Sequence, residues 1–133
     1  MKLLFFPFLW FSRSKLERRL AGKTVLITGA SYGIGASLAE SLAETKCHLL
    51  LVARTAEKLI EVRDKVEAKG GRADVFPCDL TIPAEVDKLL DSIRQLGGVD
   101  VFVNNAGIGP SILRLPFIMA LAWRRCLSES SFE

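Results

Sequence analysis

The chain has 133 residues, of which half are hydrophobic and a quarter are charged, and its formal net charge is +3. This length and balance suit one globular domain, and the small positive charge excludes the extended basic surface of a nucleic-acid-binding protein. Three cysteines without a C-x-x-C spacing and a single histidine exclude the usual zinc and disulfide frameworks. We therefore expect no metal site, reduced thiols and a reducing compartment, the cytoplasm.

The chain begins with an apolar run over residues 3–11, interrupted by Pro7 and followed by basic residues. The run is shorter than the roughly 20 residues of a membrane-spanning helix, and it lacks the small-residue cleavage site of a secretory signal. Two interpretations stay open: the run contacts a membrane interface, with Trp10 at headgroup level, or it packs on the domain. We favour the interface, and we delimit residues 1–19 as an N-terminal arm.

Strand-like and helix-like segments alternate from Leu20 onward. Four segments have the apolar and β-branched composition of buried strands: residues 23–28, 47–53, 73–76 and 99–103. Helical spacing between them predicts three inner faces: Ile34, Leu38 and Leu42; Leu59, Val62 and Val66; and Val86, Leu89, Leu90, Ile93 and Leu96. Thr55 is a predicted N-cap of the second helix. The alternation predicts a Rossmann-type, three-layer α/β/α fold with a parallel sheet.

A glycine-rich segment, Thr28-Gly29-Ala30-Ser31-Tyr32-Gly33-Ile34-Gly35, connects the first strand to the first helix. A pyrophosphate needs backbone N–H groups that point at it without intervening side chains. Gly29 permits a tight turn out of the strand. Gly33 allows the phosphates to approach the backbone closely, and Gly35 allows the helix to pack closely against the strand. The context predicts a dinucleotide-binding loop, and the alternative is a purely structural strand–helix turn.

The G-x-x-x-G-x-G spacing resembles that of the short-chain dehydrogenase/reductase family. Asn104-Asn105-Ala106-Gly107 after the fourth strand and Asp79 after the third match two further motifs of that family, so the resemblance covers residues 20–109. The resemblance implies a cofactor-binding half-domain in which Asp79 contacts the adenine. The residues assigned to the cofactor are Gly29, Ser31, Tyr32, Gly33, Ile34, Gly35, Arg54, Thr55, Asp79, Leu80, Asn105, Ala106 and Gly107.

The end of the second strand indicates which dinucleotide binds. Sites for NAD place an acid there to hold the ribose 2′-hydroxyl, whereas an arginine accommodates a 2′-phosphate. Here the strand ends in Ala53-Arg54-Thr55, with no acid. A guanidinium forms charge-assisted hydrogen bonds to phosphate, and the Thr55 hydroxyl can add another. We therefore predict NADP(H) in preference to NAD(H); the alternative is a solvated arginine at a helix start.

Family members carry out proton transfer with a Tyr-x-x-x-Lys pair and a serine. The one tyrosine of this chain, Tyr32, lies in the glycine loop, and Ser111 follows the Asn-Asn-Ala-Gly motif too closely to match the serine. We therefore assign no catalytic residue. The periodicity fails after Gly109, so residues 110–133 are interpreted as an atypical tail. We expect a truncated form without the C-terminal half of the usual domain, arising from a shortened isoform, a frameshift or a mis-predicted gene end.

These observations favour an NADP(H)-dependent oxidoreductase that moves a hydride between the nicotinamide and an alcohol or carbonyl carbon. The apolar arm and second strand resemble those of family members that act on lipid-like substrates. The alternatives are a non-catalytic dinucleotide-binding module and a non-functional fragment. The sequence indicates neither the individual substrate nor the oligomeric state.

Overall fold

Parallel strands form the middle layer of the structure, a computed structural model that describes residues 14–107. The strands are β1 (Thr24–Thr28), β2 (His48–Ala53), β3 (Arg72–Pro77) and β4 (Val101–Val103). They lie side by side in the order β3-β2-β1-β4. Because β2 and β4 flank β1 on opposite sides, the strand order reverses at β1. Open parallel sheets bind ligands at such a reversal, outside the carboxyl ends of the strands.

Helices cover both faces of this sheet. Helices α1 (Gly33–Leu42) and α2 (Ala56–Ala68) pack on one face, and α3 (Pro83–Gln95) packs on the other. A 3-10 turn, Ala43–Thr45, follows α1, and residues 14–20 are helical. The predicted three-layer α/β/α architecture with a parallel sheet is therefore confirmed.

Strand β2 contributes side chains to both halves of the core. Leu49 and Leu51 pack towards α1 and α2, whereas Leu50 and Val52 pack towards α3. All four side chains are fully buried. Burial of one such side chain contributes roughly 1.5–3 kcal/mol. The prediction of a strand covered on both faces is confirmed, and β2 holds the two outer layers together.

The predicted inner faces of the helices are partly corrected. Leu59, Val62 and Val66 of α2 are buried as expected, and so are Val86, Leu89 and Ile93 of α3. Leu96 follows the end of α3 and is 44% exposed. In α1 the prediction was wrong for Ile34, which is 78% exposed. The buried residues of α1 are Gly35, Ala39 and Leu42, and Ile34 lies in the exposed first turn of the helix.

The start of α2 also differs from the expectation. Thr55 occupies the N-cap position with an extended backbone, but its side chain makes no capping hydrogen bond. Its hydroxyl is therefore not engaged in capping α2. The predicted arm contact of residues 3–11 and the tail over residues 110–133, including Ser111, lie outside the described residues. Within residues 14–107, no helix has the length and apolarity needed to cross a membrane.

Candidate functional site

The glycine loop lies between the carboxyl end of β1 and the first turn of α1. The Ala30 N–H donates to the Val52 carbonyl over 3.2 Å and so anchors the loop to β2. Tyr32 takes the N-cap position of α1 without a side-chain capping bond, and the first turn contains no acidic residue. The first N–H groups of a helix have no partner within the helix and carry partial positive charge. The start of α1 therefore suits an anionic ligand.

Two glycines of the loop are required by close packing. A Cβ at Gly29 would lie 2.9 Å from the Ala106 Cα, which is closer than real Cβ atoms approach backbone. A Cβ at Gly35 would collide with the Gly29 carbonyl oxygen and lie 2.6 Å from the Asn105 Nδ2. These two positions therefore bring the loop, the helix and the segment after β4 into contact.

Gly33 has a different environment. Its φ is +54°, and a Cβ there would meet nothing within 4 Å. Space beside the loop is thus left open at the position where a pyrophosphate would approach the backbone. Open space, helix N–H groups and the absence of an acid fit a bound dinucleotide pyrophosphate.

The Thr28 hydroxyl connects the glycine loop to the segment after β4. Thr28 is fully buried at the end of β1. Its Oγ1 accepts hydrogen bonds from the N–H groups of Asn105 (3.1 Å) and Ala106 (3.2 Å), and it lies 3.1 Å from the Asn104 Oδ1. The Asn105 Nδ2 in turn donates to the Gly29 carbonyl over 3.2 Å. The two motifs are thereby held as one unit at the strand-order reversal.

Sequence reasoning did not include Thr28 and Asn104 among the site residues. The signal for Thr28 was present, because a hydroxyl residue immediately precedes the first glycine. Its hydrogen-bond partners, however, lie 77 and 78 positions further along the chain. Only the strand order, which places β4 beside β1, brings them together.

A second part of the candidate site lies at the carboxyl ends of β2 and β3. Arg54 is exposed and, within the described part of the chain, no hydrogen bond or ion pair engages its guanidinium. Together with Asp79 it lines an open groove of about 670 Å³, to which Phe76, Ile82 and Lys88 also contribute. Arg54 therefore places a positive charge beside open space.

The Asp79 carboxylate has a structural role in the loop before α3. Its Oδ1 accepts hydrogen bonds from the Thr81 hydroxyl (2.6 Å) and the Thr81 N–H (2.9 Å). These bonds lower the pKa of Asp79, and the charge of Arg54 acts in the same direction. The Asp79 N–H donates to the Glu85 Oε2 over 2.6 Å. Asp79 is therefore ionised at neutral pH and holds the loop in shape beside the groove.

The structure places the predicted residues in two adjoining groups. One group surrounds the glycine loop and the end of β4: Gly29, Ser31, Tyr32, Gly33, Ile34, Gly35, Asn105, Ala106 and Gly107. The other follows β2 and β3: Arg54, Thr55, Asp79 and Leu80. Tyr32 and Ile34 are exposed, whereas Leu80 packs into the core beneath α3, so its backbone is the part nearer a ligand.

His48 and Cys78 contribute to the packing of the fold. The His48 Nε2 lies 2.6 Å from the Asp74 Oδ2, at the amino end of β2 and away from the glycine loop. Burial raises the pKa of the Cys78 thiol to about 11, and Glu85 and Asp79 add to the shift. A thiol with so high a pKa stays protonated and weakly nucleophilic at neutral pH. Among residues 14–107, no group of side chains has the arrangement of a metal site.

Comparisons with known proteins agree with this geometry. A family model for short chain dehydrogenases matches residues 23–129, which extends past Gly109. Over 92 residues the chain is 49% identical to a fatty acyl-CoA reductase of Acinetobacter baylyi, and the match covers 68% of this chain and 31% of the reductase. The chain thus spans about a third of the length of that curated relative.

Solved structures give the same result for the fold. A metagenomic short-chain oxidoreductase in complex with NADP superposes with a TM-score of 0.74 at 29% identity, covering 84% of this chain and 59% of that one. L-sorbose reductase from Gluconobacter frateurii, complexed with NADPH and L-sorbose, superposes with a TM-score of 0.67 at 32% identity. That match covers 81% of this chain and 47% of the reductase.

Proposed function

This chain belongs to the short-chain dehydrogenase family, and from that premise we propose that it forms the cofactor-binding part of an NADP(H)-dependent oxidoreductase. The reaction we assign is hydride transfer between the nicotinamide and the carbon atom of an alcohol or carbonyl group. One observation carries the proposal: the glycine loop and the Asn-Asn-Ala-Gly segment are joined through the buried Thr28 hydroxyl, with Arg54 at the neighbouring strand end.

The residues of the glycine loop bind the pyrophosphate in this proposal. The N–H groups at the start of α1 donate to its oxygens, and Gly33 leaves the space that a side chain would fill. Thr28 and Asn105 hold the loop and the end of β4 at a fixed separation. A bound nicotinamide dinucleotide supplies or accepts the hydride. The protein contributes orientation and electrostatic complementarity.

The preference for NADP(H) rests on Arg54. The position at the end of β2 holds no acid that would bond a ribose 2′-hydroxyl. Among residues 14–107 the guanidinium makes no hydrogen bond or ion pair, so it can bond a 2′-phosphate without breaking one. Relatives with this fold were solved with NADP, with NADPH and with NAD, so the fold accepts either dinucleotide and the proposed preference rests on Arg54.

A lipid-like carbonyl compound is the substrate class we propose for the whole protein. The support comes from the similarity of the described half-domain to a protein that by its name reduces fatty acyl-CoA. The apolar run at residues 3–11 is consistent with a protein that meets such substrates at a membrane interface.

A non-catalytic dinucleotide-binding module is the second candidate function. It is favoured by one observation, namely that the one tyrosine of the sequence lies in the glycine loop. Such a module would bind NADP(H) with the same preference and transfer no hydride. Binding therefore tests the site, and turnover after the remaining segment of a relative is attached separates the two candidates.

Calorimetric titration of the 133-residue chain with NADPH and NADH tests the cofactor assignment. We expect NADPH to bind at least about tenfold more tightly, since one charge-assisted hydrogen bond contributes roughly 1.5–3 kcal/mol. Arg54→Asp should reverse the order, because an acid then faces the ribose hydroxyls. Arg72→Asp, at the amino end of β3, is the control and should leave the order unchanged. Equal affinities of the unaltered chain for the two cofactors would refute the assignment.

A further inference from the structure

Helices α1 and α2 begin side by side at the same edge of the sheet. They follow β1 and β2, which are adjacent and parallel, so both helices start at the carboxyl edge. Their later turns are joined by ion pairs, in which Glu40 of α1 lies 3.5 Å from the Nζ atoms of both Lys65 and Lys69 of α2. The first turns of the two helices therefore lie side by side at the carboxyl edge of the sheet, at the mouth of the groove between the helices.

Lys58 lies at this mouth, in the first turn of α2. Its Nζ bonds both carboxylate oxygens of Glu61, over 3.0 and 3.1 Å, and its side chain is 38% exposed. The bond to Glu61 raises the pKa of Lys58, and the Tyr32 phenol contributes in the same direction. Tyr32 is the exposed N-cap residue of α1. Lys58, in the first turn of α2, therefore lies within electrostatic reach of Tyr32 at the start of α1.

We propose that Lys58 is a second determinant of specificity for the 2′-phosphate of NADP(H), on the α2 side of the position held by Arg54. The inference rests on the proposed function and deepens it. A phosphate monoester carries nearly two negative charges at neutral pH, so Arg54 alone balances only about half of that charge. Arg54 and Lys58 flank the first residues of α2, whose N–H groups add partial positive charge.

Lys58 can leave Glu61 at little cost. A pair three residues apart on an exposed helix surface is weakly stabilising because water and side-chain entropy offset the Coulomb attraction. A phosphate offers more charge and more acceptor oxygens than a carboxylate. In the bound state the Lys58 ammonium bonds the 2′-phosphate, and Glu61 returns to solvent. Glu61 therefore competes with the cofactor for Lys58.

The test uses adenosine 2′,5′-bisphosphate and adenosine 5′-monophosphate, which differ only in the 2′-phosphate. Lys58→Gln should weaken binding of the bisphosphate about tenfold, the size of one lost charge-assisted bond, and leave the monophosphate within about twofold. Lys65→Gln is the matched control on the same helix, because the Lys65 ammonium pairs with Glu40 and lies away from the first turn of α2. It should leave both affinities unchanged. Glu61→Gln should tighten bisphosphate binding a few-fold by releasing Lys58.

The outcomes separate this inference from the cofactor assignment. If the unaltered chain binds the two nucleotides equally, both the NADP(H) preference and the role of Lys58 are wrong. If the unaltered chain discriminates and Arg54→Asp removes the discrimination, but Lys58→Gln behaves like Lys65→Gln, only the role of Lys58 is wrong. The role of Lys58 is also contradicted if Lys58→Gln loses equal affinity for both nucleotides. It is contradicted as well if Glu61→Gln gains no affinity for the bisphosphate. Circular dichroism of each variant establishes that it is folded.

Discussion

At Gly33, we propose that the absence of a side chain leaves room for the cofactor. Its φ of +54° is strained for other residues, at a cost of about 1–3 kcal/mol. A side chain there would meet no protein atom within 4 Å, so it would extend into the space that we assign to the pyrophosphate. Conformational strain and ligand exclusion at this position can therefore be separated by experiment.

Gly33→Val should abolish dinucleotide binding and lower the free energy of unfolding by about 1–3 kcal/mol. Gly98→Val provides the control, because Gly98 has a φ of +89° and equally open surroundings but precedes β4 at the amino edge. It should lose similar stability and keep its NADPH affinity. Calorimetry and urea denaturation measure the two quantities. Unchanged affinity in folded Gly33→Val would mean that the loop has only a structural role.

Cys78 makes stability depend on pH in the alkaline range. Its pKa is raised from 9.0 to about 11 in the folded protein, so the folded state favours the protonated thiol. The stabilisation is complete below pH 9 and is lost as the pH rises through 11, by about 3 kcal/mol in total. Urea unfolding of the unaltered chain and of Cys78→Ala at several pH values from 9 to 11 measures this loss of stability. The stability difference should shrink as the pH rises, and a difference independent of pH would contradict the assignment.

At the scale of elements, the junction of β1 with the segment after β4 determines the shape of the site. Thr28→Val keeps the volume of the side chain but leaves the partly buried N–H groups of Asn105 and Ala106 without their acceptor. Loss of such an acceptor costs about 1–3 kcal/mol. We expect that loss of stability together with weaker NADPH binding.

Thr28→Ser is the control for this junction, because it keeps the hydroxyl and should retain most of the affinity. Denaturation curves and NADPH titrations of both variants check the prediction. If Thr28→Val binds NADPH as tightly as Thr28→Ser, the hydroxyl does not organise the site.

Local periodicity explains which elements were predictable from the sequence. The apolar run of β2 and the Leu59, Val62 and Val66 face of α2 are properties of neighbouring residues, and both predictions are confirmed. The exposure of Ile34 and the missing Thr55 capping bond depend on the exact start of each helix, which spacing alone does not fix. The His48–Asp74 pair joins residues 26 positions apart and required knowledge of the strand register.

At the scale of the whole molecule, strand order collects the site from distant parts of the sequence. The order β3-β2-β1-β4 brings the carboxyl ends of all four strands to one edge. Arg54, Asp79 and the Asn105 segment follow three different strands and reach that edge together. The described residues therefore bring together the groups that we propose bind the pyrophosphate and the 2′-phosphate of a dinucleotide.

The 133-residue polypeptide should bind NADPH and yet transfer no hydride above background. Carbonyl reduction needs a proton donor and hydrogen-bond donors at the developing alkoxide, and positioned acid–base catalysis alone contributes about 10²–10⁴-fold. The one tyrosine, Tyr32, is the N-cap of α1 on the phosphate side of the site, and His48 lies at the amino end of β2, bonded to Asp74. Neither side chain is positioned to protonate a substrate beside the nicotinamide.

Loss of NADPH absorbance with a panel of aldehydes, ketones and acyl thioesters measures this turnover. The comparison is a chimera in which the 133-residue chain is followed by the remaining segment of the Acinetobacter baylyi reductase, of which this chain matches 31%. We expect activity in the chimera and none in the polypeptide, at equal cofactor saturation. Turnover by the polypeptide that disappears in Gly33→Val would reveal a proton donor within these 133 residues. It would also exclude the non-catalytic module, because binding and chemistry would then reside in the same segment.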